Sequence, residues 1–156
     1  MATFTSLDEA DISTIAAAFA LGAPRRWRAI AAGTINSNFE VETDAGRYFI
    51  RVNEGKAEGD VAWESALCVA LAERGIPVAA PRAVAGAPEA RHVRHRGLLV
   101  SVFPWLAGSH RAPHQVTLGD AGVLGEVLAR IHLAGLALPA EIRRPSIYDH
   151  SHLRVR

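Results

Sequence analysis

The chain is 156 residues long, 49% hydrophobic and 21% charged, with a formal net charge of +1. That balance excludes a disordered chain, and the near-neutral charge gives no electrostatic reason to expect nucleic acid as a partner. A single cysteine, Cys68, excludes an intramolecular disulfide and fits a reducing, cytoplasmic setting, and no apolar run is long enough to span a bilayer.

In chain order, the acidic start (Asp8, Glu9, Asp11) lacks the basic stretch of a signal peptide. Ser6-Leu7-Asp8-Glu9 reads as a capping box that opens a helix over 7–21. Its apolar stripe is Ile12, Ile15, Ala16, Phe19 and Ala20, and Gly22 and Pro24 end it. Arg25, Arg26 and Arg28 surround Trp27. Interleaved cations and aromatics can stack on nucleic acid, but one short cluster in a near-neutral chain reads more simply as a solvated strand start. A first strand follows over 27–32, then a turn from Gly33 to Asn38.

A hairpin comes next. Phe39, Val41 and Thr43 alternate with Glu40, Glu42 and Asp44, the period of a half-buried strand. Asp44-Ala45-Gly46 turns the chain, and the return strand 47–53 places Tyr48, Ile50 and Val52 on one face and Phe49, Arg51 and Asn53 on the other. A half-buried mid-strand arginine needs a partner, and the next helix offers Glu64. Such a pair is either a structural ion pair or the cation and orienting carboxylate of a phosphate site. The helix runs over 60–74 with Trp63, Leu67, Ala70 and Leu71 as its core stripe; Gly75 and Pro77 stop it. Cys68 lies in that helix among apolar neighbours and reads as inert.

Strands are expected over 81–86 and 92–102, the latter with a strongly buried run at 98–103. His92 and His95 fall on opposite faces of a strand, with no carboxylate or cysteine near in sequence, so no metal site is expected. Phe103-Pro104-Trp105-Leu106-Ala107-Gly108 ends the strand, and taken alone it is a turn with Trp105 in the core. Thr117 to Asp120 is a second capping box, opening a helix to about 133 with Ala121, Leu124, Leu128, Ile131 and Gly135 on one face. Gly119, Gly122 and Gly125 each weaken it by about 1 kcal/mol unless close packing on another helix compensates. The tail from Pro139 forms no recognisable element.

Several runs together resemble a known family. They are G-T-I-N-S-N-F (33–39), G-R-Y-F-I-R-V (46–52), W-E-S-A-L (63–67), E-R-G-I-P-V (73–78), F-P-W-L-A-G (103–108) and L-A-R-I-H-L-A-G (128–135). They are similar to the amino-terminal part of the aminoglycoside phosphotransferase/choline kinase superfamily, most of all its homoserine kinase-like branch. The resemblance implies an α+β, protein-kinase-like fold. Residues 1–102 would be an N-lobe of antiparallel sheet with a C-helix, 103–108 a hinge, and 109–156 the start of a truncated helical C-lobe. It implies ATP as cofactor and a small-molecule hydroxyl as acceptor, with no nucleic-acid or membrane partner. Asn36, Ser37 and Asn38 would cover the phosphates with side-chain and backbone donors, Arg51 would contact phosphate, and Glu64 would orient Arg51. Phe103, Pro104, Trp105 and Leu106 would hold adenine.

Phosphoryl transfer also needs a base near the acceptor and ligands for Mg²⁺. The family draws these from an H-x-D-x-x-x-x-N loop and a later Asp. Here the asparagines are Asn36, Asn38 and Asn53, no histidine is followed two residues later by aspartate, and Asp149 lies in Tyr-Asp-His. The expectation is therefore a fragment of a small-molecule kinase, inactive as it stands, with no catalytic or metal residues of its own and Mg²⁺ only in the full-length enzyme. The alternative is a non-catalytic nucleotide-binding or interaction module that self-associates through the uncovered C-lobe helix.

Overall fold

The computed structural model describes residues 5–31 and 35–144. Five strands form one antiparallel sheet: β1 (Pro24–Ala29), β2 (Ser37–Thr43), β3 (Gly46–Asn53), β4 (Val93–His95) and β5 (Leu98–Pro104), in the order β1-β2-β3-β5-β4. The helices are α1 (Glu9–Ala18), α2 (Glu58–Glu73) and α3 (Leu118–Leu136), with 3-10 turns at Pro113–Gln115 and Ala140–Ile142. Among the described residues, no helix is long and apolar enough to cross a membrane.

The β2–β3 hairpin is the centre of the sheet. Thr43 pairs with Gly46 across a turn at Asp44 and Ala45, and Gly46 takes a φ of +143°, which favours glycine. Phe39, Val41, Tyr48, Ile50 and Val52 share one face with Val100 and Val102. There they meet Ile12, Ile15, Ala16 and Phe19 to form the core. On the other face, Arg51 and Asn53 enclose a small space with Val61, Ser65 and Cys68 of α2. The sheet is thus covered by α1 on one side and α2 on the other.

Several boundaries differ from the sequence expectation. Asp8, not Ser6, caps α1: its carboxylate accepts from the Asp11 N–H (2.9 Å) and Asp11 accepts from the Asp8 N–H (3.0 Å). The Thr5 N–H is already bound to Ser37 Oγ (2.8 Å), which ties the chain ahead of the helix to the start of β2. The helix stops at Ala18 because Ala20 turns to a φ of +50° and stays exposed, while Leu21 takes the core place. β1 begins at Pro24 and ends at Ala29; Ala32, Gly33 and Thr34 lie outside the described residues. Its arginines pair across the sheet, Arg25 with Asp44, Arg26 with Glu42 and Arg28 with Glu40, the solvated-strand reading.

Glu40, on the polar face of β2, is only 3% exposed, clamped between Arg28 and Arg47. Two long cations folding over the pleat compensate its burial. The segment 81–86 is not a strand. Pro81, Pro88 and Gly86 (φ +73°) leave only a Val84–Ala87 bridge, though Arg82 N–H still reaches Val102 O (2.8 Å). The expected single strand 92–102 is a hairpin. Arg96 and Gly97 both take positive φ (+50° and +81°), the geometry of a two-residue turn. On α2 the buried residues are Val61, Ser65, Ala70 and Leu71; Trp63 and Leu67 are half-buried. Trp63 instead faces the segment after α3, donating Nε1–H to Ile142 O (2.6 Å). α3 opens with the Thr117–Asp120 box and extends to Leu136, with none of its residues buried. Residues 145–156, including Asp149, lie outside the described residues.

His92 and His95 both have carboxylate neighbours that sequence proximity does not reveal. His92 Nε2 is 3.1 Å from Glu58 and His95 Nε2 is 2.7 Å from Asp11. Arg96 also bonds Asp11 (2.6 Å), so α1 is pinned to the β4–β5 turn. The His95 bond and then the Asp8 N–H hold the Asp11 carboxyl at about 2, below its ordinary 3.8; burial opposes the shift and Arg96 adds to it. A carboxyl depressed in the fold stabilises fully above its ordinary value, and that contribution disappears as pH falls through about 2. The melting temperature is therefore expected to drop across that acid window, and Asp11→Asn to flatten the drop. An identical acid profile in the variant would remove Asp11 as its source.

Candidate functional site

A groove of about 550 Å³ opens between the sheet, α2 and the segment after β5. Ile30, Phe49, Val78, Ala79, Phe103, Pro104, Trp105 and Leu106 give it an apolar wall, and Arg51, Glu64 and Cys68 give it a polar end. β3 supplies Arg51 because alternation turns residues 47, 49, 51 and 53 away from the α1 core. α2 lies across that face and supplies Glu64.

The expected pair forms: Arg51 Nη1 donates to Glu64 Oε1 at 3.1 Å. The second carboxylate oxygen accepts from Lys56 Nζ at 2.6 Å. The Arg51 guanidinium lies 4.9 Å from the Phe103 ring centre and 5.9 Å from that of Phe49, and the two rings meet edge to face at 6.1 Å. A cation on aromatic faces and beside a carboxylate is fixed in place, as anion recognition requires. Asn38 pairs directly with Arg51 across the strands and so shares its face. Asn38 Nδ2 donates to Asn36 O (3.2 Å), while Asn36 Oδ1, Asn38 Oδ1 and Arg51 Nε are buried without a hydrogen-bond partner. Polar atoms left so are uncommon in a finished interior and concentrate where a ligand or water completes the set.

Ser37 stands apart. Its side chain points to the opposite face, is buried, and donates to Glu54 Oε1 at 2.6 Å. Burial pushes the Glu54 carboxyl up, but the bonds from Ser37 and Thr5 outweigh it and leave it lowered. The Ser37 hydroxyl is therefore structural in its contacts. Burial raises the Cys68 thiol, Glu64 raises it further and Arg51 offsets part of this, so the thiol stays protonated and is a poor nucleophile.

At the far end, the four residues 103–106 line one wall together. Trp105 is half-buried; the Arg47 guanidinium lies 4.6 Å from its ring centre, and Arg47 is held by Glu40. The Trp105 N–H donates to Arg47 O (3.2 Å), continuing the sheet ladder. Sequence reasoning missed Lys56, Ile30, Val78 and Ala79. Lys56 sits in the non-periodic link between β3 and α2, where no spacing rule applies; the others become neighbours only through the fold. Among the described residues, no group of three His, Cys, Asp or Glu is placed to hold a metal ion.

A twisted five-stranded sheet with a helix-borne carboxylate on its central strand's cation is the plan of a kinase-type lobe. The same fold occurs in a solved spectinomycin phosphotransferase in complex with ADP and spectinomycin. The match has a TM-score of 0.73 at 16% identity, over 94% of this chain and 44% of that one. Residues 26–154 match the phosphotransferase enzyme family, APH, and the chain belongs to that family. It is 33% identical over 141 residues to the homoserine kinase of Caulobacter vibrioides (89% of this chain, 43% of the relative). It is likewise 33% identical over 141 residues to that of Phenylobacterium zucineum (89% and 42%), and 31% over 139 residues to that of Burkholderia mallei (89% and 41%). The chain thus spans less than half the length of these relatives and corresponds to their amino-terminal part.

Proposed function

We propose that this chain is the nucleotide-holding part of an ATP-dependent phosphotransferase that acts on a small-molecule hydroxyl, with homoserine the favoured acceptor. One observation carries the reading: a fixed cation, Arg51 on Glu64, stands at the polar end of an otherwise apolar groove. A purine fits the apolar wall and a phosphate chain fits the cation. Homoserine is favoured because the relatives at 31–33% identity are homoserine kinases.

The residues divide the work as follows. Arg51 bonds phosphate oxygens, Glu64 keeps its guanidinium aimed, and Asn36 and Asn38 close over the phosphates. Ser37 contributes only backbone, since its hydroxyl is committed to Glu54. Phe103, Pro104, Trp105 and Leu106 flank the purine. Pro104 has no N–H and Trp105 spends its own on Arg47, so Leu106 is the residue whose N–H meets the adenine edge. ATP would bring a transferable phosphoryl group. The stretch has no H-x-D-x-x-x-x-N sequence to place a base or Mg²⁺, so it binds nucleotide without turnover.

Residues 1–102 act as the N-lobe, 103–108 as the hinge, and 109–156 as the beginning of a second, helical lobe. Val123, Leu124 and Leu128 lie exposed on α3, and further helices of that lobe are what would cover them. That exposed row also supports a second reading, a module that associates through α3.

Calorimetric titration tests the reading. ATP and ADP should bind the chain, adenosine more weakly, and GTP less well than ATP. Absence of ATP binding to the folded chain, with association through α3 persisting, would replace the nucleotide reading by the second one.

A further inference from the structure

We propose that Lys56, which stands beside the groove on the Glu64 carboxylate that lines it, is a second phosphate-binding cation and the one that makes the polar end net positive. This rests on the nucleotide reading above. Lys56 is the only lysine in the chain. Glu64 binds two cations at once, Arg51 on Oε1 at 3.1 Å and Lys56 on Oε2 at 2.6 Å. An arginine with its carboxylate alone is a neutral pair, a poor attractor of a polyanion. With Lys56 the trio carries one excess positive charge, on side chains between about a quarter and two-fifths exposed.

The backbone is built to bring Lys56 there. Gly55 takes a φ of +64°, which L side chains rarely adopt, and so turns the chain between β3 and α2 back toward Glu64. Two cations gathered on one carboxylate repel each other, and an anion that reaches both relieves that repulsion. The ammonium suits such a role: it is a compact charge on a flexible stem with three rotatable donors. It can leave Glu64 for a phosphate oxygen while the stacked Arg51 fork stays put. The ligand class that fits is a nucleotide with adjacent charged phosphates, a di- or triphosphate ahead of a monophosphate.

The test uses the full chain, titrated with ATP, AMP and adenosine at low and high salt. Lys56→Gln, which keeps a donor toward Glu64 but removes the charge, should lower ATP affinity about tenfold, leave adenosine unchanged and flatten the salt dependence. Lys56→Arg, which keeps the charge, should recover most of the loss. As a readout on the native sequence, ATP should slow acetylation of Lys56 by acetic anhydride, followed by mass spectrometry, and adenosine should not. Equal loss of ATP and adenosine in Lys56→Gln would make the residue structural and overturn the proposal, as would unchanged ATP affinity or unprotected acetylation. If the parent chain binds none of the three ligands, the nucleotide reading fails and takes this proposal with it. That outcome is distinct from a parent that binds ATP and a Lys56→Gln variant that binds it equally.

Discussion

Arg51→Ala is expected to weaken ATP binding by about 30- to 150-fold, the 2–3 kcal/mol scale of a charge-assisted hydrogen bond lost from a partly dry site. The geometry sets the direction. The guanidinium bonds Glu64, lies against Phe103 and Phe49, and lines the groove beside them. Its removal deletes the cation and leaves Glu64 with Lys56 alone, so the polar end falls from net positive to neutral. Adenosine, which has no phosphate, should bind the variant nearly as well as the parent. Arg51→Lys should fall between, because an ammonium keeps the charge but has neither the fork nor the planar face. Calorimetry on the three proteins decides it: equal ATP affinity in Arg51→Ala and parent would make the pair with Glu64 purely structural.

Phe19→Ala is expected to destabilise the fold by about 3–5 kcal/mol, a large fraction of the stability of an ordinary domain. Phe19 is 1% exposed where α1 ends, packed in the core with Ile12, Ile15, Val41 and Ile50. The backbone there is fixed by Leu21 N–H on Ala16 O (2.9 Å), so little collapse into the void is available. Denaturant unfolding should show a lower midpoint at unchanged slope. A loss below about 1 kcal/mol would mean that α1 contributes little to holding the sheet. Because Phe19 lies on the face away from Arg51, ATP affinity of the folded variant should be unaltered.

These two residues mark what could be read in advance. The hairpin 39–53, the assignment of Phe49 and Arg51 to one face, and the choice of Glu64 as partner all followed from a period of two and the cost of a half-buried charge. The same period puts Glu40 on the correct face but does not show its burial, because alternation gives a face and not the reach of Arg28 and Arg47 folding over it. The turn at Arg96-Gly97 leaves little signal in the sequence because only one of its two residues is a glycine, and the apolar run after it dominates the pattern. On α2, Trp63 and Leu67 fit a helical stripe on hydrophobicity alone. The helix lies with Val61 and Ser65 inward, because both its faces have neighbours, the sheet and the segment after α3. Lys56 was invisible to any periodicity: its place depends on a left-handed glycine and on a carboxylate eight residues away.

The helix that carries Glu64 is also tethered at both ends to residues beyond 106. Near its start, Arg144 bonds Asp60 (2.6 Å) and Gly59 O (3.2 Å) and lies over the Trp63 ring, while Trp63 holds Ile142 O. Just past its end, Arg130 of α3 bonds Gly75 O (2.6 Å). Among the described residues Arg51 has no such tether; it belongs to the sheet. The two members of the ion pair therefore ride on different frames, one fixed to the strands and one strapped to the helical side. A shift of α3 against the sheet would be expected to change the Arg51–Glu64 distance, which would make that distance a gauge of how the two sides are set.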